Sequence, residues 1–307
     1  MKIDLVYAWV DGSDPQWQRK RANYHSATVH PNATATGRTV DNDELRFSLR
    51  SAEQYAPWIN HIFIVTDNQT PAWLNIHHPR ISIVDHRDIV DHAYLPTFNS
   101  NVFEWFLHRI KGLSEYYLYA NDDTFFGNHT QPHHFFDPDG LPIECVMRYV
   151  TPNGNTLYDK ALQNAHTCFT HKTGQNLPFS PGHMIDPYRK SFVSEAVDVF
   201  GTELEQTWPN RFRSETDIQR TLISLYDHHG KRRKLVYGDR RWTERIFRQF
   251  RYVNLLYPRG IHLLKRLQSK RYRLFCINDT ANTTDELRHQ AKLFLERYFP
   301  LKSHFEK

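Results

Sequence analysis

Short apolar runs that each end in acid or amide side chains constrain this chain more than any other feature. Ile3-Asp4-Leu5-Val6-Tyr7-Ala8-Trp9-Val10 runs into Asp11-Gly12, Ile62-Phe63-Ile64-Val65-Thr66 into Asp67-Asn68, and Tyr116-Tyr117-Leu118-Tyr119-Ala120 into Asn121-Asp122-Asp123. Each is strand-sized and rich in β-branched and aromatic residues. Segments with helical spacing lie between them. One places Leu45, Leu49, Ala52 and Tyr55 on a single stripe; it starts near Asp41-Asn42-Asp43, whose side chains can cap free N–H groups, and closes at Pro57. Another covers residues 100–111, with Asn99 or Ser100 as cap and Val102, Phe106 and Ile110 turned inward. Ile81–Asp85 reads as a further short buried strand. Strands alternating with helices predict an α/β fold, a mostly parallel sheet flanked by helices. Ligands of such sheets sit beyond the carboxyl ends of the strands, so the acids and amides gather polar chemistry along one rim.

The rest of the chain is less regular. Residues 26–40 are rich in Ser, Thr, Asn and Ala and read as a surface loop. Helices are expected over 187–200 and 215–228, and a basic amphipathic helix over Arg241–Tyr257, with Trp242, Ile246, Phe250, Val253 and Tyr257 on one face. A final strand, Arg271–Ile277, leads into Asn278-Asp279, and a helix over Asp285–Tyr298 closes the pattern. Residues 1–230 with 271–307 thus read as a catalytic α/β domain, and 231–270 as a basic helical segment. From Lys231 to Arg273 there are 15 Lys and Arg against two acids, a net charge of +13 in a chain whose total is +5. A field that lopsided concerns partners rather than fold. It suits an anionic membrane surface or an anionic saccharide; nucleic-acid binding would leave the acidic strand ends unexplained and is not expected.

Composition sets outer bounds. At 39% hydrophobic and 14% aromatic the chain can bury a core. No apolar run approaches the roughly 20 residues of a membrane helix, and Asp4 argues against a secretory signal core. Cys145, Cys168 and Cys276 are odd in number and widely spaced, neither a disulfide framework nor a thiolate zinc site, and they fit a reducing cytoplasm.

Several residues invite chemistry. Two adjacent carboxylates at a strand end, Asp122 and Asp123, can hold Mg²⁺ or Mn²⁺ and bridge it to a diphosphate, although a turn uses the same residues without chemistry. Asp279 completes such a site if both strand ends share a rim. His183, in Ser180-Pro181-Gly182-His183-Met184-Ile185-Asp186, stands at a Pro-Gly turn before a helix. Arg213 can fork onto phosphate oxygens or simply pair with Glu215. The chain has no Gly-x-x-x-x-Gly-Lys-Ser/Thr loop, Gly-x-Gly-x-x-Gly fingerprint, Gly-x-Ser-x-Gly elbow or His-Glu-x-x-His. Metal, arginine and helix ends are left to hold phosphate.

Together these segments resemble the four conserved regions of the Stealth family, which includes bacterial capsule and cell-surface polysaccharide phosphotransferases and the catalytic subunit of the animal N-acetylglucosamine phosphotransferase. The first region matches residues 1–14, through Val6-Tyr7-Ala8-Trp9-Val10-Asp11-Gly12-Ser13-Asp14. The second matches 41–136, including Asp43-Glu44-Leu45-Arg46-Phe47-Ser48-Leu49-Arg50-Ser51, Leu95-Pro96-Thr97-Phe98-Asn99-Ser100 and Asn121-Asp122-Asp123. Gly182-His183-Met184-Ile185-Asp186 and Arg213 onward match the third, over 180–228, and Cys276-Ile277-Asn278-Asp279 the fourth, over 272–281. Ala8 and Pro187 depart from the commoner family residues.

The resemblance implies a nucleotide-diphospho-sugar-binding core of glycosyltransferase-A type and transfer of hexose-1-phosphate to a saccharide hydroxyl. It implies catalytic roles for Glu104, Asp123, His183 and Arg213. Donor-binding roles fall to Asp11, Arg46, Arg50, Asn68, Asn99 and Asn121, and Mg²⁺ or Mn²⁺ would rest on Asp122, Asp123 and Asp279. The expected donor is UDP-linked, the acceptor a saccharide or lipid-linked oligosaccharide, and the location the inner face of the cell membrane. The rival reading is a metal-dependent glycosyltransferase that transfers the sugar and releases nucleoside diphosphate.

Overall fold

Alternation along β1 (Ile3–Ala8) sends Leu5 and Tyr7 into one apolar cluster and Val6 into another, so both faces of its sheet are covered. The computed structural model describes residues 1–26, 29–34, 37, 39–148, 156–237, 250–255, 260–280 and 282–307. With β2 (Ile62–Thr66), β3 (Ile81–Asp85), β4 (Tyr116–Asn121) and β8 (Asp186–Arg189), β1 forms a five-stranded sheet in the order β3-β2-β1-β4-β8. The first four strands are parallel and β8 is antiparallel to β4, so the α/β class expected from the sequence is the one observed. The chain builds outward from β1 to β2 and β3 on one side and places β4 on the other. That reversal opens a crevice past the carboxyl ends of β1 and β4, where Ala8 pairs with Asn121. At the opposite end, buried Asp4 accepts from Asn60 Nδ2 and the Ser114 N–H, each at 2.7 Å, and ties down the loops there.

Helix α1 (Pro15–Ala22), capped by Asp14, follows β1. The amphipathic α2 (Glu44–Tyr55) buries Leu45, Leu49, Ala52 and Tyr55 as its spacing demands. Its expected side-chain cap is replaced: Asp43 sits at φ 68° without a capping bond, and Asp41 Oδ1 instead accepts the Asp43 N–H at 2.9 Å. After α3 (His86–Ile89), the helix foreseen over 100–111 appears as α4 (Ser100–Phe103), capped by Asn99 and tightening into a 3₁₀ run over Glu104–Arg109.

Two small sheets finish the frame. One orders β10 (Phe250–Asn254), β11 (Leu274–Asn278) and β5 (Thr124–Phe126); the other orders β7 (Phe179–Pro181), β6 (Ile143–Arg148) and β9 (Lys234–Tyr237). Helix α5 (Leu157–Thr173) was not expected. The helix expected over 187–200 starts as strand β8, where Pro187 lies opposite Leu118 on the last strand of its sheet and its missing N–H breaks no ladder. The helix proper is α6 (Lys190–Leu204), and the one expected over 215–228 is α7 (Thr221–His229).

The described parts of the basic segment are woven into the fold. Lys234–Tyr237 pairs with β6 and Phe250–Asn254 pairs with β11; only Gly260–Lys270 of its described residues is helical. The helix expected over Arg241–Tyr257 is therefore corrected at residues 250–254, where apolar β11 offers a ladder that outweighs helical spacing; residues 241–249, 256 and 257 lie outside the described residues. Among the described residues no helix is long and apolar enough to cross a membrane.

Candidate functional site

The site grows from the carboxyl end of β4. Tyr119 and Asn121 share one face of the strand, two residues apart. The Tyr119 hydroxyl donates to Glu104 Oε1 at 3.0 Å and lies 3.2 Å from Asn121 Oδ1. Asn121 Nδ2 lies 3.4 Å from His183 Nε2, and His183 Nε2 is in turn 3.5 Å from Asp123 Oδ2. On the far side of Asp123, the Cys276 thiol donates to Oδ2 at 3.3 Å. The backbone fixes this last contact, because β11 pairs with β5 and the Ile277 N–H donates to the Asp123 carbonyl at 3.0 Å. A continuous chain of contacts thus runs Cys276, Asp123, His183, Asn121, Tyr119, Glu104.

Glu104 extends it to Arg220, a residue the sequence did not single out. Arg220 Nε lies 3.2 Å from Glu104 Oε2, Nη2 donates to Asp186 at 2.9 Å, and Nη1 donates to the Tyr188 hydroxyl at 2.6 Å. Its guanidinium stacks 4.3 Å from the Tyr119 ring centroid. Nothing local marks Arg220, since its partners come from three distant segments. Burial opposes a charge on His183, yet the Asp123 carboxylate outweighs it and holds the imidazole above its ordinary pKa. Burial opposes the charge on Arg220 too, and the tyrosines and carboxylates around it hold that charge in place.

A second group of carboxylates abuts the first. Burial and mutual repulsion push Asp41 up to about 6 and Glu44 up to about 7. Asp122 rises well above the usual carboxylate range, first through burial and then through Asp123, Glu44 and Asp41. Asp123 Oδ1 is buried without a hydrogen-bond partner. Crowded oxygen donors with an orphaned carboxylate oxygen fit a hard divalent cation. Asp123, His183 and Cys276 also place one ligand atom each within 4.8 Å of one another.

Of the four residues expected to be catalytic, Glu104, Asp123 and His183 are joined in one network. Arg213 stands beside it, donating to Ser100 Oγ at 2.8 Å, one helical turn before Glu104. No carboxylate pairs with Arg213 among the described residues. Asp279, the expected third metal ligand, pairs with Arg288 at 2.7 Å, and the Cys276 thiol meets Asp123. Strands alternate, so the residue that faces Asp123 is Cys276 and not its neighbour Ile277.

The expected donor residues divide. Asp11 stays on the rim, its carboxylate accepting from Ser13 and its main chain bridged to Gln69. Asn68, at φ 58°, accepts from Arg87 on the same rim, and Asn121 lies within the network. Arg46 and Arg50 instead close on Glu306, at 2.5 and 2.7 Å, and Arg50 also holds the Phe299 carbonyl. Buried Asn99 caps α4 and donates to Asp217 at 2.9 Å. The polar groups of these three are engaged with the scaffold in this structure.

Comparison with known proteins covers the same ground. Models of Stealth conserved regions 1, 2, 3 and 4 match residues 1–28, 38–144, 182–229 and 265–307 in that order. Exopolysaccharide phosphotransferase SCO2594 of Streptomyces coelicolor is 38% identical over 99% of this chain and 51% of its own length. Capsular polysaccharide phosphotransferase fcs1 of Haemophilus influenzae is 34% identical over 97% of this chain and 84% of its own. Exopolysaccharide phosphotransferase CpsY of Mycobacterium tuberculosis is 36% identical over 99% and 58%. The chain therefore spans about half the length of the Streptomyces relative. A solved structure of galactosyltransferase LgtC with donor and acceptor sugar analogues aligns over 98% of this chain and 96% of that one, at 12% identity and a TM-score of 0.48, too low to carry any residue across. Four conserved regions in family order, with a relative matched over most of both chains, show that this chain belongs to the Stealth family.

Proposed function

We propose that this chain transfers a hexose-1-phosphate from a nucleotide-diphospho-sugar to a saccharide hydroxyl, forming a phosphodiester in a capsule, exopolysaccharide or cell-wall glycan. The observation that carries it is the network joining Asp123, His183 and Glu104 at the strand-end crevice of a chain whose relatives are named polysaccharide phosphotransferases. A UDP-linked donor, and a saccharide or lipid-linked oligosaccharide acceptor, are the substrates of this reading.

Phosphoryl transfer asks mainly for alignment and charge neutralisation. The acceptor oxygen bonds to the sugar-bearing phosphorus as the bridging bond to the nucleoside monophosphate breaks. The hydroxyl proton passes to the His183 imidazole, which Asp123 orients and stabilises once charged. Arg213, free of any carboxylate among the described residues, neutralises the equatorial phosphate oxygens, whereas Arg220 is consumed in holding Glu104. Glu104, with one oxygen on Tyr119 and the other on Arg220, is held rigidly enough to orient donor hydroxyls. Asp11, Asn68 and Asn121 line the donor side of the rim. Asp122 and Asp123, with Asp41 and Glu44 behind them, are the residues to hold Mg²⁺ or Mn²⁺, which would supply charge neutralisation to the diphosphate.

The released nucleotide tests this reading. Incubation with a panel of nucleotide sugars and saccharide acceptors should yield nucleoside monophosphate. Nucleoside diphosphate as the product would instead favour the glycosyltransferase reading.

A further inference from the structure

The contacts around Asp123 are unusual for a site that needs only hard oxygen ligands. Three segments far apart in sequence converge there: the turn after β4 supplies Asp123, the loop before β8 supplies His183, and β11 supplies Cys276. Cys276 Sγ and Asp123 Oδ2 are 3.3 Å apart, and His183 Nε2 and Asp123 Oδ2 are 3.5 Å apart. Zinc bonds of about 2.3 Å to sulfur and about 2.0–2.2 Å to nitrogen or oxygen give a tetrahedron whose edges are about 3.5 Å. Two of the three edges match that spacing, and all three ligand atoms lie within 4.8 Å of one another. The other carboxylate oxygen, Oδ1, is buried with no partner. All three positions are also braced, Asp123 and Cys276 by the β5–β11 pairing, and the His183 ring by an edge-on contact with Tyr252 at 5.9 Å between centroids.

We propose that Asp123, His183 and Cys276 form a zinc-binding site whose occupation inhibits the enzyme. This rests on the activity proposed above for its inhibitory consequence, but not for the binding itself. Thiolate and imidazole select zinc over magnesium and manganese, which prefer oxygen. Zinc displaces the Cys276 thiol proton and bonds to the sulfur, the imidazole nitrogen and the carboxylate, leaving a fourth position open. It thereby takes the base and its orienting carboxylate together. The wide spacing of the three cysteines hides such a site in the sequence, because only one of them contributes.

Cobalt(II) reads the site without any turnover. Metal-free protein should take up one equivalent of Co²⁺ with a near-ultraviolet thiolate-to-cobalt band, and Zn²⁺ should bleach it. The band should vanish in Cys276→Ala and persist in the Cys145→Ala/Cys168→Ala double variant. Competition with a chromophoric chelator should show zinc affinity falling at least tenfold in both Cys276→Ala and His183→Ala. Absence of the band in the unsubstituted protein overturns the proposal, as does a band that survives loss of Cys276. Should Cys276→Ala fail to fold, an unchanged zinc affinity in His183→Ala overturns it equally. If zinc binds as described yet no nucleotide sugar is turned over, the zinc site stands and the proposed reaction fails.

Discussion

Two arginines in the neighbourhood of Glu104 carry opposite assignments, and their surroundings make the difference. Arg220 is wedged between Glu104, Asp186 and Tyr188, so removing it strands two buried carboxylates. Breaking a buried pair of this kind costs about 3–5 kcal/mol, and Arg220→Ala should lower the melting temperature by many degrees. Arg213 rests on a single neutral hydroxyl. Arg213→Ala should therefore keep its melting temperature within a few degrees and lose about two or more orders of magnitude in rate. Thermal melts and initial rates of both variants check the pair; the reverse pattern would exchange the two roles. Asp123 and His183 stand out in the sequence by their strand-end and Pro-Gly settings and Glu104 through the family resemblance alone, and the structure joins all three in one network. Arg220 and Cys276 were not assigned, since their parts in the network depend on which face of α7's approach and of β11 meets β4, and a linear reading does not fix that. Asp279 lies three residues beyond Cys276 and pairs with Arg288.

At the level of elements, the sequence was clearest where pattern and packing agree. The first four strands and the closing helix Asp285–Tyr298 fell within about two residues of expectation, because each is an apolar run or stripe with a clear stop. Helix α5 escaped notice although it carries a capping box, Thr156 with Asp159, and ends at Gly174 with φ 70°. Its interior His, Asn, Thr and Cys residues dilute helical propensity, and tertiary packing supplies what propensity lacks. The contact of Glu306 with α2 shows how a distant carboxylate locks an element. Burial would push Glu306 up, but Arg50, the Ser303 N–H and Arg46 hold it down at about 2, against an ordinary 4.5. A depressed carboxyl stabilises the fold fully above its unfolded value and loses that contribution as pH falls from 4.5 towards 2. The shift corresponds to about 3 kcal/mol at neutral pH. Glu306→Gln should lose about that much in denaturant unfolding at pH 7 and much less at pH 3; an equal loss at both would show that the ion pairs contribute nothing.

Across the whole molecule, charge is the property that the sequence exaggerated. Of the +13 between Lys231 and Arg273, Arg233 is buried between Glu144 and Asp227, Arg232 pairs with Glu195, and Lys234 pairs with Asp137. These cations hold β9 and α7 rather than a partner. We propose that the remaining excess attaches the protein to an anionic membrane surface, where each basic residue near the lipid contributes about 1 kcal/mol. Sedimentation with anionic vesicles at low salt, reversed at high salt and absent with neutral vesicles, is the expected result; protein that stays in the supernatant assigns the excess to an anionic acceptor instead. In the proposed reaction the sugar travels with its phosphate. A nucleotide-sugar donor labelled with ³²P at the sugar-bearing phosphorus decides it directly. Label recovered in the saccharide product, with unlabelled nucleoside monophosphate released, is the predicted result; label left on a released nucleoside diphosphate would contradict it.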